Sequence, residues 1–198
     1  MNVFYDANAI YEAGKKAIKG APFKYQSHLF EMNQLLETAE LQKKLIEGKY
    51  RPSKGRKFII KERGKIRHIT TDNMVDKTIN HLLCDNVLSK AISPYLIYDN
   101  GASQKGKGVS FHRKRLETHL HRYYRKHKNN EGYILLIDFS SYYASIPHKL
   151  CLQNTYNLLK KADKDEAKIT LWILSNLFEI FNIDNKNNRG VDIGSQPS

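Results

Sequence analysis

What this chain has little of narrows its class before any motif is considered. Of 198 residues only two are cysteine, Cys84 and Cys151, far apart and without paired spacing. That pattern excludes a disulfide framework and a zinc site, and it predicts buried thiols in a reducing, cytoplasmic setting. No apolar run approaches the roughly 20 residues that span a bilayer, so no membrane partner is expected. The opening MNVFYDANAIYEAGKK has an early acid, Asp6, and no apolar core of the signal-peptide kind. Internal repeats, low-complexity tracts and interdomain linkers are absent. Acidic residues are in short supply, 20 against 33 Lys and Arg, which leaves a net charge of +13. Apolar side chains are not scarce: at 40% they suffice for a packed core and exclude wholesale disorder.

The excess charge is concentrated. Residues 43–67 hold eleven Lys/Arg against two Glu, and residues 101–130 hold nine against one, with four histidines besides. Outside these two stretches the chain is slightly acidic. A single basic run is usually a solvated face; two runs on an otherwise acidic chain are the footprint of a polyanion, and nucleic acid is the expected partner.

Apolar periodicity predicts the elements. Residues 6–19 read as a helix with Ala9, Ile10, Ala13 and Ala17 inward, stopped at Gly20-Ala21-Pro22. A second helix is expected to bury Leu29, Leu35, Leu36, Ala39, Leu45 and Ile46 and to end at Gly48. KFIIKERGKIRHIT predicts a basic hairpin, strands 57–62 and 65–70, turning at Arg63-Gly64. Thr71 or Asp72 is expected to cap a helix running to about 92, with Val75, Ile79, Leu82, Leu83 and Leu88 on its apolar face and Pro94 after it. A Gly-rich loop at 99–108 precedes a very basic helix over 109–128. Residues 133–139 predict a strand, and helices follow at about 148–161 and 164–182. A lone strand cannot stand in a core, so the sheet is expected to be incomplete within 198 residues, with residues 191–194 able to begin one more strand.

The strand ends oddly. Ile134, Leu135, Leu136 and Ile137 form an unbroken apolar run, which implies burial on both faces, and Asp138 closes it. A carboxylate at that place avoids the interior and sits where a core opens, suited to a hard cation such as Mg²⁺. The simpler alternative is that Asp138 caps the turn.

The stretch DFSSYYASIPH (138–148) resembles the first catalytic motif of reverse transcriptases: an Asp after an apolar strand, an aromatic five residues on, then Ser, an aliphatic residue and Pro. The resemblance implies that Asp138, with the backbone carbonyl of Phe139, binds catalytic metal, Mg²⁺ with Mn²⁺ as its substitute. It implies that Tyr143 packs under the nucleotide sugar and rejects a 2′-hydroxyl. GKIRHIT (64–70) is similar to the family's fingers hairpin, which puts Lys65 and Arg67 on the triphosphate; cationic donors on a rigid ribbon suit phosphate on physical grounds too. DKTINHLLCDNVLSKAISPYL (76–96) looks like the helix that follows it. NGASQKGKGVSFHRKRL (100–116) looks like the loop and helix that track template and primer, through Lys105, Lys107, Arg113, Lys114 and Arg115. RGVDIGSQPS (189–198) is similar to a glycine motif near the nascent base pair, and implicates Ile193 and Gly194 in nucleotide binding. Together these imply an α+β right-hand polymerase, helix-rich, with a basic β-hairpin and an incomplete antiparallel palm sheet. Residues 1–80 would be fingers, 81–145 the first part of the palm, 146–190 the second part of the fingers, and 191–198 a return to the palm. RNA template, DNA primer and deoxynucleoside triphosphates are the implied partners, with an accessory protein or an element RNA beside them.

Two departures shape the expectation. Most reverse transcriptases carry Pro-Gln where this chain has Asp192-Ile193; an aliphatic residue there resembles the enzymes of diversity-generating retroelements, which copy adenine unfaithfully. No Asp-Asp occurs, so the family's Tyr-x-Asp-Asp turn is not found, and 198 residues are expected to bind substrates without completing the chemistry. Asp163, Asp165 and Glu166 fall at a helix start, where acids serve as caps. Two rivals stand beside this reading. A non-catalytic RNA-binding module suits the charge and the tyrosines. A P-loop suits GASQKGKG except that Gly108 stands where Ser or Thr would hold Mg²⁺.

Overall fold

The computed structural model describes residues 2–62, 64–102, 104–185 and 188–191; the side chains of Lys65, Arg67, Thr70 and residues 181–185 lie outside that description. Among the described residues the fold is α+β: mostly helix, with one two-stranded antiparallel sheet. In chain order the elements are α1 (Ala7–Lys19), α2 (Tyr25–Met32), α3 (Gln34–Ile46), β1 (Arg56–Glu62), β2 (Lys65–Thr71), α4 (Met74–Leu83), α5 (Ser89–Ile92), α6 (Val109–His127), α7 (Tyr142–Ser145), α8 (His148–Leu158) and α9 (Lys164–Asn185). The chain divides into two compact units, Met1–Ile92 with Ser141–Ser198, and Ser93–Ser140.

In the larger unit α1, α4 and α9 start where short polar side chains hold their first amides. Asp6 accepts from Asn8 N at 2.9 Å to open α1. Asp163 accepts from the amides of Asp165 and Glu166, each at 3.0 Å, so the acidic cluster at 163–166 is the cap that the sequence predicts. α4 opens later than expected, on Asn73, whose side chain accepts from Asp76 N at 2.7 Å. The helix predicted through residue 92 is interrupted by a wide turn at Cys84–Leu88 before α5, and a 3-10 turn, Ser93–Tyr95, follows at Pro94.

The core joins α1, α3 and α4 to α9. Ile10, Ile79, Leu82, Leu83 and Ile173 are fully buried, beside Phe4, Leu41, Leu45, Leu174, Leu177 and Phe178. Each such side chain contributes about 1.5–3 kcal/mol on burial. The close approach of α1 to its neighbours depends on small residues: a Cβ at Gly14 would stand 2.9 Å from Gln34 Nε2.

Two expectations are corrected here. The helix predicted to run from Leu29 to Ile46 is two helices. Asn33 bonds the Leu29 carbonyl with its side chain, at 3.0 Å, and so competes with the helical ladder. The buried face is also largely a different one: Leu29, Leu35, Leu36 and Ile46 are exposed, whereas Gln34, Thr38 and Leu41 point inward beside Leu45, which is buried as expected. The polar Gln34 is tolerated there because its Nε2 donates to the Tyr11 carbonyl at 2.8 Å.

The second correction concerns residues 133–139, which form no strand. Their apolar side chains are exposed, Leu136 to 88%. The described ladder is used up between β1 and β2, so no strand is there to satisfy this backbone and cover both faces.

Candidate functional site

The hairpin forms as the sequence predicts, one residue longer at its root. β1 and β2 pair from Arg56↔Thr71 to Glu62↔Lys65, with Gly64 in the turn at a φ of 76° that favours glycine. Lys65 therefore sits at the tip and Arg67 pairs with Ile60 on the ladder.

The more informative geometry lies where α7 meets the residues after α9. Val191 N donates to the Tyr143 carbonyl at 2.9 Å, Gly190 N to the Ile146 carbonyl at 2.8 Å, and His148 N to the Asn188 carbonyl at 3.1 Å. Pro147 and Arg189 form an antiparallel bridge between them. Gly190 makes this docking possible: its φ is 96°, and a Cβ there would come 3.3 Å from the Ala144 carbonyl oxygen. His148 fastens the same junction from behind. It is buried, its ring stacks on Phe178 with centroids 4.5 Å apart, and its Nε2 lies 2.6 Å from the Gly190 carbonyl. The sequence alone assigns this histidine no catalytic role, and what it does is join two motifs. Tyr143, its backbone engaged, is 38% exposed, with its ring edge-on to that of Tyr142. The expected positions Ile193 and Gly194 lie outside the described residues, as do the side chains of Lys65 and Arg67.

In the smaller unit, the cations predicted to track a phosphate backbone fall into two groups. Arg115 grips Asp99 with two guanidinium nitrogens, and His119 Nε2 lies 2.7 Å from the same carboxylate. The bonds from Arg115, then His119, hold the Asp99 carboxyl down at about 2. Lys107 turns onto its own loop, donating to the Tyr98 carbonyl at 2.8 Å and the Asn100 carbonyl at 3.3 Å, above the rings of Tyr98 and Phe111. Arg115 and Lys107 thus fasten the loop to α6, a role that spacing alone could not distinguish from phosphate binding. Arg113 makes only an exposed pair with Glu117, at 3.5 Å.

The side chains of Lys105 and Lys114 are exposed and make no hydrogen bond or ion pair with the described protein, and the same is true of those of Arg122, Arg125 and Lys126. The sequence does not single out the last three, although their spacing from Lys114 places all four within about a third of the α6 circumference. The loop also lacks P-loop geometry, because a 3-10 turn rather than a strand precedes it.

Asp138 is exposed and Phe139 follows it. With the Phe139 carbonyl, the Asp138 carboxylate makes two hard oxygen-donor groups, the right chemistry for Mg²⁺ but a fraction of its octahedral shell. No three His, Cys, Asp or Glu side chains gather into a metal-holding group among the described residues. These residues can anchor an ion whose other ligands come from elsewhere; by themselves they do not build its site. Cys84 is no nucleophile candidate, since burial pushes its thiol up to about 12.

No protein-family model matches this chain, and no curated protein matches it either. No helix of the described residues is long and apolar enough to cross a membrane.

Proposed function

We propose that this chain is the fingers and first part of the palm of an RNA-directed DNA polymerase, which extends a DNA primer on an RNA template. The observation that carries the reading is the docking of residues 143–148 onto residues 188–191. The two segments lie some 40 residues apart and resemble successive motifs of one family, and they share three backbone hydrogen bonds. A nucleotide site built from both motifs requires that junction.

Within this reading Tyr143 presents its exposed ring to the sugar of the incoming deoxynucleoside triphosphate, while its engaged carbonyl fixes where the ring starts. A bulky ring there leaves no room for a 2′-hydroxyl, so discrimination comes from a difference of transition-state binding. Lys65 and Arg67 would meet the triphosphate, and the exposed α6 cations the nucleic-acid backbone. Asp138 and the Phe139 carbonyl would anchor Mg²⁺, or Mn²⁺, which neutralises developing charge at the phosphates when bound. An accessory protein or element RNA and a cytoplasmic setting complete the proposal.

The test is ternary-complex formation. A complementary deoxynucleoside triphosphate should stabilise the chain's complex with an RNA–DNA primer–template, the matching ribonucleotide should not, and Tyr143→Ala should narrow that difference. A complex indifferent to the complementary nucleotide would sink the polymerase reading. It would favour instead a non-catalytic RNA-binding module, which the exposed tyrosines Tyr123 and Tyr124 on a basic helix also suit. Since two-metal transfer needs more than one carboxylate, residues 1–198 are expected to bind without extending the primer. Extension that is lost in Asp138→Ala would overturn that expectation.

A further inference from the structure

We propose that Asp76 aims the β1–β2 hairpin, as a positioning residue for the phosphate contacts assigned to Lys65 and Arg67; the phosphate part rests on the polymerase reading above. Asp76 is buried in the first turn of α4, yet its carboxylate is spent on the segment that leads into β1. Oδ1 accepts from the Tyr50 hydroxyl at 2.8 Å. Oδ2 accepts from Ser53 N at 2.9 Å and from Ser53 Oγ at 2.5 Å. Ser53 lies just before β1. The leg leaving β2 is tied in by Asn73, whose Nδ2 donates to Ser53 Oγ at 3.0 Å and whose Oδ1 accepts from Asp76 N at 2.7 Å. One carboxylate, one hydroxyl and one amide thus close a ring across the hairpin root.

Helix capping alone does not account for this. Asn73 already caps α4, and the partners that Asp76 adds come from 23 and 26 residues away. Burial, and then the Asp76 carboxylate beside it, raise the Tyr50 phenol above its usual range, so that hydroxyl stays a donor.

The root matters because little else holds the ribbon. Every β1 side chain is exposed, and among the described residues the extensive packing of each strand is against the other. Such a ribbon is marginal alone and takes its direction from where it is clamped. Seven residues at about 3.3 Å each make a lever of about 23 Å, so a swing of about 10° moves the tip by about 4 Å. A misplacement of about 1 Å between reacting groups can cost about a hundredfold in rate.

The experiment measures aim and consequence separately, on the full chain with Cys151→Ser and spin labels at Lys19→Cys and Lys61→Cys. Asp76→Asn keeps the side chain's volume but offers one acceptor oxygen to three donors. It should broaden or shift the label-to-label distance by about 4 Å, with helical content unchanged by circular dichroism. Should it fail to fold, Ser53→Ala leaves the Tyr50 bond intact and should give a smaller broadening in the same direction. In parallel, Asp76→Asn should weaken complementary-triphosphate binding in the primer–template complex several-fold and leave primer–template affinity unchanged. An unaltered distance distribution in both variants overturns the clamp. A broadened distribution with unaltered triphosphate affinity overturns the phosphate role and leaves the clamp standing. A wild-type complex that takes no triphosphate overturns the polymerase reading instead, while the distance measurement still decides the clamp.

Discussion

The two units of this chain are held together by different physics. The larger one buries Ile10, Ile79, Leu82, Leu83 and Ile173 among four helices and is stabilised by removing apolar area from water. In the smaller one, Ser93–Ser140, Gly101 is the one buried residue among those described. Its loop and helix are joined by Arg115 and His119 on Asp99, and by Lys107 over Tyr98 and Phe111. A unit without an apolar core spends cations on its own structure, and only the remainder can meet a partner. Counting basic residues therefore overstates the binding surface.

That contrast can be broken in four places, in descending order of effect on stability. Ile79→Ala opens a cavity in the core and should cost about 2–5 kcal/mol in equilibrium unfolding of the larger unit, while amide exchange over 96–120 stays unchanged. Gly190→Ala forces a Cβ onto a φ of 96° against Ala144. It should cost about 1–3 kcal/mol and loosen the amides of Gly190 and Val191, a local junction failing before the core does.

Asp99→Ala should leave the global unfolding midpoint in place and speed amide exchange in the 96–108 loop. The same ion pair sets a pH dependence. The Asp99 carboxyl is held at about 2, below its ordinary value, so the folded state binds fewer protons than the unfolded. Its contribution is complete above about pH 4 and is lost as pH falls toward 2. Protection of the loop amides, taken relative to their intrinsic exchange rates, should fall across that window in the wild type and not in Asp99→Ala; an acid-insensitive loop would remove the ionic account of this unit.

The smallest effect on stability, and the sharpest on binding, is expected from Lys114, Arg122, Arg125 and Lys126. Changing all four to Ala should leave unfolding unaltered and lower the slope of log affinity against log salt by about 0.9 for each duplex phosphate that is no longer neutralised. Changing Lys107 and Arg115 should instead disturb loop exchange first. If both sets flatten the salt slope equally, the division of cations into structural and binding groups is wrong.

Much of the helical framework could be read from the chain alone, because its determinants are local. The spacing of Ala13 and Ala17 on α1, the Gly64 turn of the hairpin, the acidic cap at 163–166 and the stop at Pro94 each depend on neighbours a few residues away. The exceptions are where distant partners override periodicity. Gln34 goes inward because Tyr11 offers a carbonyl, and Leu35 and Leu36 are left outside. Residues 133–139 have strand composition and no ladder to join among the described residues.

For the candidate site, residue types were visible in the sequence and their occupations were not. Asp138, Tyr143 and the basic stretches stand out by pattern; the fastening of residues 143–148 to 188–191, with Gly190 and His148 at the junction, does not. Nor does any pattern reveal that Arg115 already has a carboxylate while Arg122 has none among the described residues. By itself the sequence determined most of the helical segments, the hairpin with its turn, and how strongly the chain attracts anions. Which motifs touch, and which cations remain for a partner, was decided only by the tertiary structure, because a hydrogen bond or ion pair depends on distances of about 3 Å that the fold alone brings about.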